Sequence, residues 1–230
     1  MQPPLRTIPS PDSALALWLC PLERDPSEEA ELFACLSATE QARAARFGTL
    51  TLRRRWMTGR ATLRWLLGHA LGCEPAAIPL RRGVRGRPEL DTARGPDFNV
   101  SHTGEVALIC IGTALERAER VGVDIERVDR RVNTDGLSRR VLTEHERDAL
   151  AAFDDDARRR QLLRLWTCKE AMSKATGDAL SAPFRRIHIA TDVRLRLISG
   201  PEPYTPGRWR LLSVAVPEEF FATLAVWRSR

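Results

Sequence analysis

The sequence predicts an α+β fold made of two similar halves in one chain. Three observations predict it. Two long segments with apolar residues at helical spacing, residues 50–71 and about 156–176, each end at a glycine, Gly72 and Gly177. Short apolar runs of strand length flank each of them. A polar stretch around residues 113–120 separates the two sets, which places the halves at 1–115 and 116–230. Each half is expected to be a small, mostly antiparallel sheet packed on its long helix, and 230 residues suffice for a sizeable core.

The elements follow in chain order. Residues 15–20, Leu-Ala-Leu-Trp-Leu-Cys, read as a buried strand. Ser37-x-x-Glu40 is a capping box that opens a helix. The first long helix carries Leu52, Trp56, Leu63, Leu66, Leu67 and Leu71. Residues 81–97, rich in glycine and proline, read as a loop. Strands at 98–100 and 106–111 are expected around a turn at Ser101-His102-Thr103-Gly104. Val121, Val123 and Ile125 alternate with Gly122, Asp124 and Glu126, as in a strand with one polar face. A second capping box, Thr143-x-x-Glu146, precedes the second long helix. Strand-like stretches at 186–198, 208–216 and 220–228 complete the chain.

Composition narrows the function. Hydrophobic residues make up 43% and charged residues 29%, the balance of a soluble globular protein. No apolar run approaches the roughly 18 residues of a membrane span, and the N-terminus lacks a secretion signal. The five cysteines contain no C-x-x-C and read as reduced thiols of a cytoplasmic protein. The four histidines show no metal-ligand spacing. The net charge of +6 points to an anionic partner. Of the 36 basic residues only Lys169 and Lys174 are lysines, so that pair stands out.

Four constellations carry candidate chemistry. In Val121-Gly-Val-Asp-Ile-Glu126, Asp124 and Glu126 sit at i and i+2 of a strand and share one face. Two adjacent carboxylates repel unless a cation lies between them, and hard oxygen ligands suit Mg²⁺. In Trp166-Thr-Cys-Lys-Glu-Ala-Met-Ser-Lys174, Trp166, Glu170 and Lys174 share a helix face. In Phe98-Asn-Val-Ser-His-Thr-Gly104, adjacent Ser101 and His102 lack the third partner of a hydrolase triad but could bind phosphate. Arg81-Arg-Gly-Val-Arg-Gly-Arg-Pro88 is a basic loop without the G-x-x-x-x-G-K-[ST] of a Walker phosphate loop. Taken singly, each pattern is more often a solvated edge, a surface ion pair, a turn or a charge run.

Together, in this order and spacing, the four motifs resemble the phosphopantetheinyl transferase superfamily over about residues 40–180. The length is similar to its longer, surfactin-synthetase-activating class, which implies two halves related by pseudo-twofold symmetry. The resemblance implies transfer of 4′-phosphopantetheine from coenzyme A to a serine of an acyl, peptidyl or aryl carrier protein, with release of 3′,5′-ADP. That reaction serves fatty acid, polyketide, nonribosomal peptide and other secondary metabolite synthesis. Asp124, Glu126 and Glu170 would hold Mg²⁺. Ser101 and His102 would contact coenzyme A, with Arg55, Arg82, Arg85 and Arg87 around its nucleotide. Asp124 would bind the cofactor through the metal, which also takes the pyrophosphate, and Lys174 would bind it at the reacting phosphate. Glu170 is the candidate general base, and Lys174 would offset charge at the reacting phosphate. The chain departs from the family after Phe47, where Gly-Thr-Leu-Thr-Leu replaces basic residues; Arg53, Arg54 and Arg60 are the candidates to replace that grip. A monomer is expected.

The competing reading is a nucleic-acid-binding protein built on Arg53–Arg55 and Arg81–Arg87. It explains the charge but leaves Asp124, Glu126 and Glu170 unused, and no nucleic-acid-binding motif supports it.

Overall fold

The computed structural model describes residues 3, 5–92, 95–116, 118–192 and 194–229. Both long helices form where their apolar spacing places them. Helix α3 spans Leu50–Leu71, after α1 (Glu29–Ala34) and α2 (Ala38–Ala44). Helix α6 spans Asp155–Thr176, after α4 (Thr134–Val141) and α5 (Glu144–Ala151). Thr49 and Asp154 cap the two N-termini through their side chains. Gly72 and Gly177 close the C-termini in the left-handed region, at φ 67° and 83°, which a side chain would disfavour.

The strands sort into two main antiparallel sheets. Strands β1 (Arg6–Ile8), β2 (Leu15–Pro21), β5 (Phe98–Thr103) and β6 (Val106–Gly112) form one, in the order β1-β2-β6-β5. Strands β7 (Glu119–Arg127), β10 (Trp209–Ser213) and β11 (Phe220–Arg228) form the other, in the order β10-β11-β7. All of the first sheet's strands therefore precede residue 113, and all of the second's follow residue 118. Two-stranded ribbons pair β3 (Leu80–Arg82) with β4 (Pro88–Leu90), and β8 (His188–Ala190) with β9 (Arg196–Ser199).

Strand alternation sets the layers. Leu17, Leu19, Leu108 and Cys110 on the first sheet bury against Val121, Val123, Leu224 and Val226 on the second. The opposite face of the first sheet, with Phe98, Ala107, Ile109 and Ile111, packs on Leu63, Leu66 and Leu67 of α3. The apolar face of α6, with Leu162, Leu165, Cys168 and Met172, lies in a third cluster with Ile187, Leu211 and Ala225. The order is thus helix, sheet, sheet, helix.

Three expectations are corrected. Residues 81–97 are not simply loop. Leu80–Arg82 pairs with Pro88–Leu90, because alternating bonds can close a hairpin around a turn that Gly86 takes at φ 87°. Ser101 and His102 are not in a turn: β5 continues to Thr103, each residue paired with β6, and the reversal falls on Gly104 at φ 57°. The stretch at 186–198 is two short strands, not one.

Candidate active site

Strands β5 and β7 are the outer strands of their sheets, and their edges meet. In β7, alternate N–H groups pair with β11, while the others point toward β5 and, being buried, need acceptors. The acceptors are side chains rather than backbone. Asp97 Oδ2 accepts from Val121 N at 2.7 Å, Asn99 Oδ1 from Val123 N at 3.0 Å, and Ser101 Oγ from Ile125 N at 3.4 Å. Thr103 Oγ1 then donates to Glu126 Oε2 at 3.3 Å. Sequence reasoning missed Asp97, Asn99 and Thr103. The signal was legible: every second residue from 97 to 103 carries a small hydrogen-bonding side chain, a period-2 pattern on one strand face.

Helix α6 crosses the other face of β7 at Gly122. A Cβ there would stand 1.9 Å from Ala171 O and 2.6 Å from Ala175 N, so only glycine permits this approach. The closeness brings the helix's polar face onto the strand's carboxylates. Lys174 Nζ donates to Asp124 Oδ1 at 2.6 Å and to Ser101 Oγ at 2.8 Å, and Ser101 Oγ donates to the same Asp124 oxygen at 2.7 Å. Trp166 Nε1 donates to Glu126 Oε1 at 3.3 Å, and Arg130 pairs with that oxygen too.

The carboxylates differ in what they have left to offer. Both oxygens of Glu126 are engaged. Asp124 Oδ2 and Glu170 Oε1 are buried without a partner. Orphaned carboxylate oxygens are costly to bury, so their presence needs a reason. Burial, then the charge of Asp124, pushes the Glu170 carboxyl up to about 7, against the smaller opposing pull of Lys174. Burial also raises Glu126, with Asp124 adding to it. Among the described residues, no three His, Cys, Asp or Glu side chains stand ready as a cation cage. Two free oxygens nevertheless fit magnesium, which keeps several waters and takes other ligands from substrate phosphates.

The remaining candidates fall at different places. His102 is exposed on the opposite side of β5 from Ser101. Arg55 lies near the same hairpin end, donating to Gly104 O at 3.5 Å and to Glu23 at 2.6 Å. Arg82 is exposed, with no ion-pair partner among the described residues. Arg85 pairs with Asp178. Arg87, expected to hold the nucleotide, is instead buried at 7% exposure with its guanidinium bonded inside the protein. The proposed substitutes are also engaged: Arg53 and Arg54 bind Glu29, and Arg60 faces Glu40 at 3.4 Å. Most arginines of the two clusters are thus paired with carboxylates of the protein itself.

The lysine pair also separates. Lys169 points away from Lys174 and is fully buried. Its Nζ donates to Glu146 Oε2 at 2.5 Å, Val141 O at 2.8 Å and Phe184 O at 3.1 Å. Glu146 Oε2 also completes the second capping box by accepting from Thr143 N at 2.8 Å, while its Oε1 accepts from Ile189 N at 2.9 Å.

Two family models match the chain in succession: 4′-phosphopantetheinyl transferase, N-terminal, over residues 24–113, and 4′-phosphopantetheinyl transferase superfamily over residues 120–224. The 4′-phosphopantetheinyl transferase HetI of Nostoc sp. is 33% identical, with 98% of this chain and 92% of that protein aligned. The chain belongs to the 4′-phosphopantetheinyl transferase superfamily. It is of the longer class, and the enzyme transfers 4′-phosphopantetheine. A putative 4′-phosphopantetheinyl transferase of Synechocystis sp. is 32% identical over 86% of this chain and 78% of its own. Among solved structures, a holo-(acyl-carrier-protein) synthase from Bacillus anthracis in complex with CoA (3′,5′-ADP) aligns at a TM-score of 0.41 and 26% identity. It covers 48% of this chain and 96% of that one.

Proposed function

We propose that the transferase is magnesium-dependent and that its reaction centre is the cluster of Ser101, Asp124, Glu170 and Lys174. The observation that supports this most is the pair of orphaned buried oxygens, Asp124 Oδ2 and Glu170 Oε1, beside a lysine. Held by Asp124 and Glu170, with Glu126 behind them, magnesium would neutralise and orient the pyrophosphate of coenzyme A.

The chain's own groups account for the rest. Ser101 and Lys174 offer an O–H and an N–H to the pyrophosphate, and Lys174 offsets charge that develops there. Glu170, beside Asp124 and Lys174, is the candidate group to accept a proton directly or through a water. The carrier's serine oxygen bonds to the β-phosphorus as its proton passes to Glu170. The bond from the β-phosphorus to the bridging oxygen breaks, and 3′,5′-ADP leaves with the electron pair. His102, Arg55 and Arg82 are the proposed contacts for the nucleotide phosphates. Arg85 borders a cleft of ≈ 420 Å³ with Arg81, Arg120 and Gly177 at the end of α6. The proposed acceptors are acyl and peptidyl carrier domains, and the proposed setting is a monomeric holo-carrier synthase in the cytoplasm serving secondary metabolism.

The test is intact-mass analysis of a panel of carriers after incubation with enzyme, coenzyme A and titrated Mg²⁺. Holo-carrier should form with Mg²⁺, cease in EDTA, and not form with Asp124→Ala. Undiminished transfer in excess EDTA refutes the metal assignment.

A further inference from the structure

We propose that Arg87 and Asp97 form a positioning clamp that holds Lys174 against Ser101 and Asp124, and that Arg87 does not itself bind coenzyme A. The inference rests on the assignment of those three residues to the reaction centre.

Arg87 reaches inward from the β3–β4 hairpin and bonds to three segments at once. Its Nε donates to Lys174 O at 2.8 Å, in α6. Its Nη1 and Nη2 grip Asp97 Oδ1 and Oδ2 at 3.0 and 2.8 Å. Nη2 also faces Phe98 O at 3.1 Å, in β5, and Val121 O at 2.8 Å, in β7. Each guanidinium nitrogen thus makes at least one bond within the protein, and the side chain is only 5% exposed, which keeps the fork away from a phosphate arriving from solvent. Asp97 adds the bond from Val121 N at 2.7 Å.

The three segments gathered here carry Ser101, Asp124 and Lys174, three of the four reaction-centre residues. Ser101 lies four residues along the strand from Asp97, and Asp124 three from Val121. Lys174 is the clamped residue itself. Strands are stiff and rise about 3.3 Å per residue, so a fixed origin sets where Ser101 and Asp124 stand. The last carbonyls of a helix have no partner within it, and Arg87 takes the one at Lys174. A lysine could not replace this arginine, because its three donors radiate from one nitrogen while the clamp needs a planar fork that spans a carboxylate and reaches carbonyls on either side.

The test compares Arg87→Lys and Asp97→Asn with the wild type in the full chain. Both should lower kcat by about 10²-fold through sub-ångström misplacement, while the Kd for coenzyme A by calorimetry stays within about twofold. The double variant should be no slower than the slower single one. A tenfold or greater rise in Kd for Arg87→Lys, with Asp97→Asn unchanged, would make Arg87 a direct ligand and overturn the clamp. So would wild-type kcat in both variants. If Arg87→Lys does not fold, Asp97→Asn, which keeps an acceptor for Val121 N–H, carries the same comparison. If the wild type transfers to no carrier, the functional assignment fails separately. The clamp is then decided by amide exchange at Gly177 and Asp178, at the clamped end of α6, which should speed up in either variant and overturns the clamp if unchanged.

Discussion

Gly122→Ala is the most incisive perturbation because its consequence can be worked from distances. The added methyl would meet Ala171 O at 1.9 Å, whereas ordinary contact begins at 3.4 Å, so strand and helix must part by about 1.5 Å. The obstacle is backbone on both sides, with no side chain free to swing away. Overpacking of this kind typically costs about 1–3 kcal/mol. In a chain of this size that lowers Tm by roughly 2–12 °C. The same displacement carries Glu170 and Lys174 away from Asp124, and a 1 Å error in placement can cost about 10²-fold in rate. A thermal melt, with single-turnover holo-carrier formation measured well below Tm, reads both effects. If the variant melts and turns over like the wild type, α6 does not need its close approach and the account of the site is wrong.

Other outcomes separate residues that look alike in the sequence. Lys169→Met should cost about 3–5 kcal/mol by leaving Glu146 buried and unpaired, while the folded fraction keeps its turnover. Lys174→Ala should instead lower turnover by about 10²–10³-fold, the loss expected for one preorganised donor. Chemical denaturation beside initial rates distinguishes the two. Glu170 predicts a pH dependence of stability for the metal-free protein. Its carboxyl keeps a proton up to about pH 7 when folded, and loses it near the ordinary value of 4.5 when unfolded. Between those values the native state binds more protons, so stability should fall as pH rises through that window. Glu170→Gln should flatten this decline; an unchanged slope would place the titration elsewhere.

Much of the architecture was legible in the sequence because local physics dictates it. Both 22-residue helices announce themselves through apolar spacing and a terminal glycine, and both capping boxes close as their residues suggest. Strand alternation correctly put Asp124 and Glu126 on the face opposite Val123 and Ile125. Helical spacing correctly put Trp166, Glu170 and Lys174 together. The hairpin of residues 80–90 was not legible, since a strand of three residues carries too little periodicity to register against a glycine-rich background.

What the sequence determined by itself was the inventory: which faces are polar, which ends are capped, and which motif order marks the family. Only the tertiary structure decided how that inventory is spent. Two lysines five residues apart on one helix point in directions about 140° apart at 3.6 residues per turn. One is therefore sealed against Glu146 and the other faces Asp124. Arg85 and Arg87 are two positions apart on one hairpin, yet one is solvent-facing and the other buried among carbonyls from three segments. An arginine's chemistry is the same in both places. Whether it meets a ligand or braces the fold depends on which acceptors the packed chain brings within about 3 Å of it, and those acceptors come from residues far away in sequence.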